Sequence, residues 1–316
     1  MASEQNHPDF NQVLTALLDN SRPFPPRLLH SFSDISDEDL NSLKNIWPQV
    51  ETGRRTTLLA DLESLQEADT LLNFDDFSRF ALSDENEGVR ANAIRLLWES
   101  EDSHLVPVLI HLLQHDPSDL VKAAAATGLG KFVYLGELDE IPRNLLAEIE
   151  DALVMALKTP TSKEIQRKSL ESLGFSGRGE VKEFIQKAYK EKDSRWISSA
   201  LFAMGRSADR CWEQQVSEMI DHHDDEVRTE AVRAAGELEL VSLRDALIQK
   251  ATDGNEIWDV RMGAIWSLSQ LGGEDARETL EDLLEKAEDD EEADILEEAL
   301  DNLSFTDDQH TFGINL

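Results

Sequence analysis

The sequence predicts an all-α protein, an α-solenoid built from stacked pairs of helices. A motif recurs along most of the chain at a nearly constant spacing, which is typical of repeat architectures. The apolar residues within the motif follow the three-to-four periodicity of an α-helix. No segment shows the sustained alternation of apolar and polar residues that indicates a β-strand.

The motif is clearest in DDEVRTEAVRAAGELEL at residues 224–240, where a valine–arginine pair precedes small and apolar residues. We call the first residue of that pair the marker, and it recurs at spacings of 32, 44, 31, 31, 33 and 35 residues. The markers are Val89, Val121, Ile165, Trp196, Val227, Val260 and Ile295. The spacing of 44 includes the extra stretch YLGELDEIPR at 134–143, which we interpret as a loop insertion between repeats.

A second helical segment precedes each marker segment, so that one repeat is a pair of helices. HLVPVLIHLLQH at 104–115 is one example, and Gly, Pro, Asp and Ser cluster between the two segments. Alanine stands four residues after most markers, where a small side chain allows neighbouring helices to approach closely. We predict an N-terminal cap at 1–35, an array of about eight helix pairs at 36–303, and a C-terminal tail at 304–316.

A basic residue follows the marker in several repeats, on the side of the helix that carries its buried residues. These residues are Arg90, Lys122, Arg228 and Arg261, and the acids that accompany them are Asp84, Asp119, Asp225 and Asp259. Because a buried guanidinium must be paired, we predict a ladder of arginine–aspartate pairs that links successive repeats. The ladder should be interrupted in the middle, where Gln166 and Ile197 replace the basic residue. The alternative is that the arginines extend to water.

Composition narrows the range of partners. The formal net charge of -35 disfavours binding to nucleic acid or to an anionic membrane. The sequence has no run of eighteen apolar residues that could span a membrane and no pattern typical of a secretion signal. A single cysteine, Cys211, cannot form an intrachain disulfide, which indicates a cytoplasmic location. The acidity is consistent with solubility, with partner binding or with adaptation to high salt.

The outline D-x-x-x-V-R-x-x-A-x-x-x-L-G resembles the HEAT repeat, in the short HEAT-like variety that is also found in the phycobilin lyases. The resemblance covers residues 84–303 clearly and residues 36–67 weakly. It implies a right-handed superhelix in which the marker helices line the inner, concave face. It is specific for fold and leaves the activity open.

Helical geometry then predicts which residues face a partner. Opposite the buried side lie the positions two, three, six and ten residues after each marker. Basic and large apolar side chains occupy several of them: Arg95, Lys131, Arg167, Phe202, Arg206, Arg233, Met262 and Trp266. Exposed aromatic residues on a rigid surface are common anchors of binding sites, so Phe202 and Trp266 are the candidate anchors. The alternative is that curvature or an adjoining loop covers them.

The sequence offers no catalytic residue, no metal site and no cofactor site. No histidine is followed by glutamate, so the His-Glu pairs of the HEAT-like di-iron hydroxylases are missing. Cys211 is interpreted as a packed thiol beside Trp212 rather than as a nucleophile.

We therefore expect a non-enzymatic, monomeric scaffold or adaptor that binds another protein, through an acidic or amphipathic segment of it, on the concave face. The alternative is a phycobilin-lyase-like or chaperone-like subunit that acts on another protein. Such a subunit needs a groove rather than a catalytic triad, so sequence motifs do not separate the two.

Overall fold

The computed structural model describes residues 9–160, 162–287 and 290–312. All regular elements among these residues are helices, which confirms the predicted all-α class. The first eight α-helices are α1 Phe10–Leu18, α2 Asp37–Ile46, α3 Thr52–Ala68, α4 Asp75–Ala81, α5 Glu87–Leu96, α6 Leu105–His115, α7 Asp119–Glu137 and α8 Arg143–Lys158. They are followed by α9 Lys163–Leu173, α10 Gly179–Tyr189, α11 Ser194–Arg206, α12 Glu213–Met219, α13 Asp225–Glu237, α14 Arg244–Thr252, α15 Trp258–Leu271, α16 Glu274–Leu284 and α17 Asp290–Phe312.

The helices form two compact units, Met1–Ser169 and Leu170–Leu316, and the division falls within α9. We call the odd-numbered helices from α3 to α17 the second helices, because each is the second of a pair and, apart from α3, each carries a marker. In the first unit α3, α5 and α7 pack side by side, and α4 and α6 each pack on the helix that follows. In the second unit α11, α13, α15 and α17 pack side by side in the same way. Helix pairs stacked in this manner make up an α-solenoid.

A polar residue three positions before the marker caps the second helix in some repeats. The side chain of Asp224 accepts hydrogen bonds from the backbone N–H groups of Glu226 and Val227 at the start of α13. Asn86 accepts one from the N–H of Val89 at the start of α5. A side-chain acceptor at this position satisfies N–H groups that have no partner within the helix, so these caps help to fix where α5 and α13 begin.

The markers and the small residues after them form the core of each unit. Val89 and Ala93 in α5 are fully buried, as are Val227 and Ala231 in α13. Within a unit, a second helix such as α5 or α13 packs against its own first helix and against the second helices before and after it. Small side chains are therefore needed on more than one side, and the repeat carries alanine where the helices cross.

Glycine serves the same purpose nine residues after the marker. A Cβ atom on Gly236 of α13 would lie 2.8 Å from the Cα atom of Ser267 in α15. A Cβ atom on Gly174, the residue after α9, would lie 2.9 Å from the Cα atom of Ala203 in α11. Both distances are too short for a side chain beside a backbone, so these glycines set the close spacing of adjacent second helices.

The insertion and the C-terminal tail differ from the sequence interpretation. Residues 134–137, predicted to begin a loop insertion, continue α7, and the loop is confined to the turn before α8. Helix α17 extends to Phe312, so most of the predicted tail is helical, and residues 313–316 lie outside the described part. In the N-terminal region Phe32 packs on Phe77 of α4, with the ring centroids 5.0 Å apart. Residues 1–8 of the predicted cap are likewise outside the described residues.

Candidate functional site

A groove of about 780 Å³ crosses the second helices of the first unit. One side of α7 forms its floor, where the residues are Ala123, Ala124, Thr127 and Gly128. These side chains leave the α7 backbone close to the surface. The volume lies within the range of about 300–1,000 Å³ that is usual for ligand sites in proteins.

Two large apolar side chains flank the floor and are open to solvent. Trp98, just after α5, is 57% exposed, and Leu120, in the first turn of α7, is 48% exposed. Trp98 and Leu120 lie at opposite ends of the groove, as the contacts of α7 show. The Lys131 ammonium, late in α7, donates a hydrogen bond to the carbonyl oxygen of Glu99, which adjoins Trp98. Exposed apolar surface gathered around a concave floor is typical of a binding site.

The basic residues at the edge of the groove are already engaged. Arg95 forms an ion pair with Glu63 of α3 at 3.2 Å. Lys131 is held by the Glu99 carbonyl and lies 3.7 Å from a carboxylate oxygen of Glu101. Both Arg95 and Lys131 therefore lie at the groove, as residues predicted to contact a partner, but much of their charge is balanced within the chain.

Two acids at the edge lack such a partner. Glu67 of α3 and Asp119 of α7 are exposed lining residues, and neither forms an ion pair with any residue that the structure describes. Glu164, a further acid of the lining, pairs with Arg167. The third lining base, Lys168, also interacts within the chain, so the lining charges without an ion pair among the described residues are the negative ones of Glu67 and Asp119.

The structure corrects the placement of Arg167, which the sequence pattern put on the exposed face. Arg167 is only 8% exposed, and its guanidinium pairs with Glu164 one turn earlier in α9. The prediction treated the second helix as packed on one side only. Because these helices also pack against one another, the position two residues after the marker is buried.

In the second unit the predicted residues Phe202 and Arg206 lie together on α11. The Arg206 guanidinium stands 4.9 Å from the ring centroid of Phe202 and 5.0 Å from that of Phe175. It also lies 3.5 Å from a carboxylate oxygen of Glu237 in α13. Arginine between two aromatic rings is a favourable cation–π arrangement, so Phe202 is half-buried and engaged within the chain.

The other predicted residues of this unit lie on α13 and α15. Arg233 is exposed and sits 3.8 Å from Glu230 on the same helix. The pKa of Glu230 is raised to about 7, mainly by burial; Arg233 lowers it, and the nearby carboxylates of Glu171 and Glu237 raise it. Trp266 is exposed on α15, and Met262 one turn earlier is half-buried.

The basic residues after the markers pair between repeats, but their partners differ from those expected. The acid lies just before or at the start of the next second helix rather than near the arginine in sequence. The pairs are Arg55 with Asp84, Arg90 with Asp116, Arg228 with Glu256, and Arg261 with Glu292, at 2.6, 2.8, 2.6 and 2.5 Å. The rung from Arg55 to Asp84 was not among the predicted pairs.

The remaining predicted members of the ladder have other roles. Asp225 pairs with Arg228 within α13 at 2.8 Å, and Lys122 helps to lower the pKa of Asp116. Asp259 is exposed and forms no ion pair within the described part of the chain. Gln166 donates hydrogen bonds to the carbonyl oxygens of Leu157 and Thr159, so it binds the preceding turn as the arginines do.

Groups that could support chemistry are sparse. Among the described residues, no three histidine, cysteine or acidic side chains come together as a metal site. Cys211 is exposed, contrary to the interpretation of a packed thiol. Partial burial and a hydrogen bond with Asp209 raise the pKa of its thiol, which disfavours the thiolate. No described helix has the length and apolar character needed to cross a membrane.

Comparisons with known proteins bear on the family. The model for HEAT repeats matches residues 79–148 and 213–301, together half of the chain. The complex of CpcE and CpcF of phycocyanin lyase from Nostoc sp. PCC7120 is similar in structure, with a TM-score of 0.53 and 17% identity over 90% of this chain and 97% of that one. YibA of Escherichia coli has a TM-score of 0.44 and 15% identity, over 88% of this chain and 95% of that one. Yeast importin-β has a TM-score of 0.42 and 13% identity, over 94% of this chain and 52% of that one.

No curated protein sequence matches this chain. The likeness to the phycocyanin lyase complex shows a shared fold, and the repeat match extends over two ranges that contain the markers Val89, Val121, Val227, Val260 and Ile295. The chain belongs to the family of HEAT-repeat proteins.

Proposed function

We propose that this protein is a non-enzymatic scaffold that binds a segment of another protein on the exposed face of its second helices. The observation that carries the proposal is the groove in the first unit, with Trp98 and Leu120 exposed on either side of a floor of small residues. Large apolar side chains of this kind supply most of the binding free energy in protein interfaces.

The construction of the groove supports recognition by a preformed surface. Its lining residues lie on packed helices rather than on long loops. Trp98 is the exception, and it directly follows Leu97, the C-cap of α5. A site on rigid elements loses little conformational entropy when it binds. The exposed residues of the second unit, Arg233 and Trp266, are proposed as a further contact, together with Phe202, Arg206 and Met262.

Site-specific photo-crosslinking in the native cells tests the proposal. A photoreactive amino acid is placed at Leu120 in the groove or, as a matched control, at Met155 of α8, which is 58% exposed and outside the groove. We expect a discrete protein adduct from position 120 that position 155 does not give. Trp98→Ala should remove this adduct. Equal adducts at both positions, or an adduct that persists in Trp98→Ala, would contradict the proposal.

A phycobilin-lyase-like role is the second candidate. The volume of the groove and the fold shared with the CpcE–CpcF complex favour it. The purified chain would be mixed with a linear tetrapyrrole, and absorbance and fluorescence would be recorded with and without Trp98→Ala. A spectral change that depends on Trp98 is expected for this role, whereas unchanged spectra would remove it.

The proposed scaffold is a monomer of the cytoplasm that does not bind nucleic acid or membranes. The net charge of -35 supports this proposal, because like charge repels phosphate groups. Sedimentation of the pure chain should give the mass of a single copy, and a heavier species would overturn the monomer.

A further inference from the structure

We infer that the segment bound in the groove is an amphipathic helix of about three turns with basic residues at both ends. This inference rests on the proposed function and specifies the chemistry of the partner. It depends on the length of the groove, on the polarity of its floor and on the charges at its ends.

The length follows from the residues of α7 that line the groove. They run from Asp119 to Lys131, which corresponds to about 18 Å along the helix axis. An α-helical segment of about twelve residues has this length. Leu120 and Trp98 lie near opposite ends, so the partner should carry apolar residues along one side over about ten residues.

The backbone of the bound segment must satisfy its own hydrogen bonds. The floor of the groove consists of helical residues whose N–H and C=O groups are bonded within α7, so it offers no edge to which a strand could pair. An extended segment laid on this apolar floor would leave backbone groups unsatisfied, which is costly. A helix satisfies them internally, and the small side chains of Ala123, Ala124 and Gly128 let it approach closely.

The ends of the groove carry the acids that lack ion pairs. Asp119 adjoins Leu120 at one end. Glu67 lies one turn beyond Glu63, whose partner Arg95 is on α5 near Trp98 at the other end. The lining bases Arg95, Lys131 and Lys168 are all engaged within the chain. Lysine or arginine at each end of the partner helix would complement Asp119 and Glu67, and the chain's net charge would speed association. The groove thus favours a basic segment over the acidic one suggested by the sequence pattern.

Selection from a displayed library of random 16-residue peptides on the immobilised full chain tests this inference. Trp98→Ala with Leu120→Ala serves for counter-selection, and Met155→Ala is the matched control. We expect the enriched peptides to show apolar residues at spacings of three and four, with lysine or arginine near both ends. A synthetic copy should gain helical circular dichroism on binding and should bind at least about tenfold more weakly to the double variant.

A charge reversal tests the proposed basic residues at the two ends of the partner helix. In Glu67→Lys with Asp119→Lys, both changes lie on the surface, and the melting temperature of the variant confirms folding before binding is measured. We expect this variant to bind the selected basic peptides at least about tenfold more weakly at low salt, and to bind their charge-reversed copies more tightly.

The possible outcomes separate this inference from the proposed function. Enriched peptides that are acidic, proline-rich or non-helical when bound, yet depend on Trp98, would overturn the basic helix and leave the scaffold role standing. A library with no enrichment that depends on the groove overturns the inference as well. The crosslinking at Leu120 decides separately whether the groove binds a protein at all.

Discussion

Arg90 binds Asp116 through two parallel hydrogen bonds, from Nε to Oδ2 and from Nη2 to Oδ1, each 2.8 Å long. Both residues are buried, and Nη1 of the same arginine donates to the carbonyl oxygen of Asp84 at 2.8 Å. Bidentate pairs of this kind are among the stronger polar interactions in proteins. The pair joins the repeat that contains α5 to the repeat that contains α7.

Asp116→Asn should lower the free energy of unfolding by about 1–3 kcal/mol at pH 7, because it leaves the buried guanidinium without its counter-charge. Burial raises the pKa of Asp116, but hydrogen bonds from Arg90 and the Ser118 N–H lower it more, so the folded-state pKa lies below the ordinary value of 3.8. The stabilisation is therefore complete well above pH 4 and is lost as the pH falls below that value. Urea unfolding at pH 7 and pH 3 should show a smaller difference from wild type at pH 3.

Asp119→Asn is the control, since Asp119 is exposed and three residues away. It should change the free energy of unfolding by less than about 1 kcal/mol. Equal effects of the two variants would contradict a role for the buried pair.

Gly236→Ala should destabilise the second unit by about 1–3 kcal/mol, because the added methyl group would meet the backbone of Ser267 at 2.8 Å. Gly179→Ala, at the start of α10 where nothing lies within 4 Å of the new Cβ atom, is the matched control. Thermal unfolding should show a lower midpoint only for the first. An unchanged midpoint for Gly236→Ala would mean that α13 and α15 are less closely packed than described.

Glu230→Gln should stabilise the protein at pH 8 by about 1–3 kcal/mol and much less at pH 5. Burial raises the pKa of Glu230 from 4.5 to about 7, so the folded state holds a proton that the unfolded state has released. Stability consequently falls as the pH rises from about 4.5 to 7, and the neutral glutamine avoids this loss. Unfolding measured across this range should give converging curves at low pH, and a constant offset would contradict the raised pKa.

Phe202→Ala with Trp266→Ala should weaken binding of the natural partner severalfold, which is less than the effect of Trp98→Ala with Leu120→Ala. The reason is that Phe202 is already held against Arg206, whereas Trp98 is open to a ligand. Affinity measured with the partner identified by crosslinking checks the order. A larger loss in the Phe202 variant would place the main contact in the second unit.

The repeat could be read from the sequence because its buried positions keep a fixed place relative to the marker. Val89, Ala93 and Leu97 stand at the marker, four residues later and eight residues later, and the structure buries all three. The helical period therefore predicts both the helix and its core side. Arg95 was predicted to be exposed from the same geometry, and it lines the groove.

Features that depend on contacts between repeats could not be predicted from the sequence in the same way. The acid that binds each ladder arginine follows it by 26 to 31 residues, because the intervening helices and loops differ in length. No fixed spacing could reveal Asp116 or Glu256. Arg167 was misplaced because the second helices bury two sides.

The groove itself was missed for a related reason. Trp98 occupies the position at which other repeats carry the close-packing glycine, and nothing in its spacing distinguishes a buried residue from an exposed one. Leu120 precedes its marker by one residue and belongs to no repeated position that the motif defines. One signal for the groove is present in the sequence: a large tryptophan, Trp98, replaces the glycine of the repeat pattern in a single repeat.

The arginine–acid ladder limits which repeats can be added to or removed from the array. In four repeats an arginine is balanced by an acid that belongs to the next repeat, so a single helix hairpin taken from one of these repeats would hold a cation without its counter-charge. The smallest fragment that contains both members of such an ion pair is therefore two adjacent helix hairpins. Removing the repeat that supplies the acid would therefore leave the arginine of the preceding repeat without its partner, even when the cut falls between repeats.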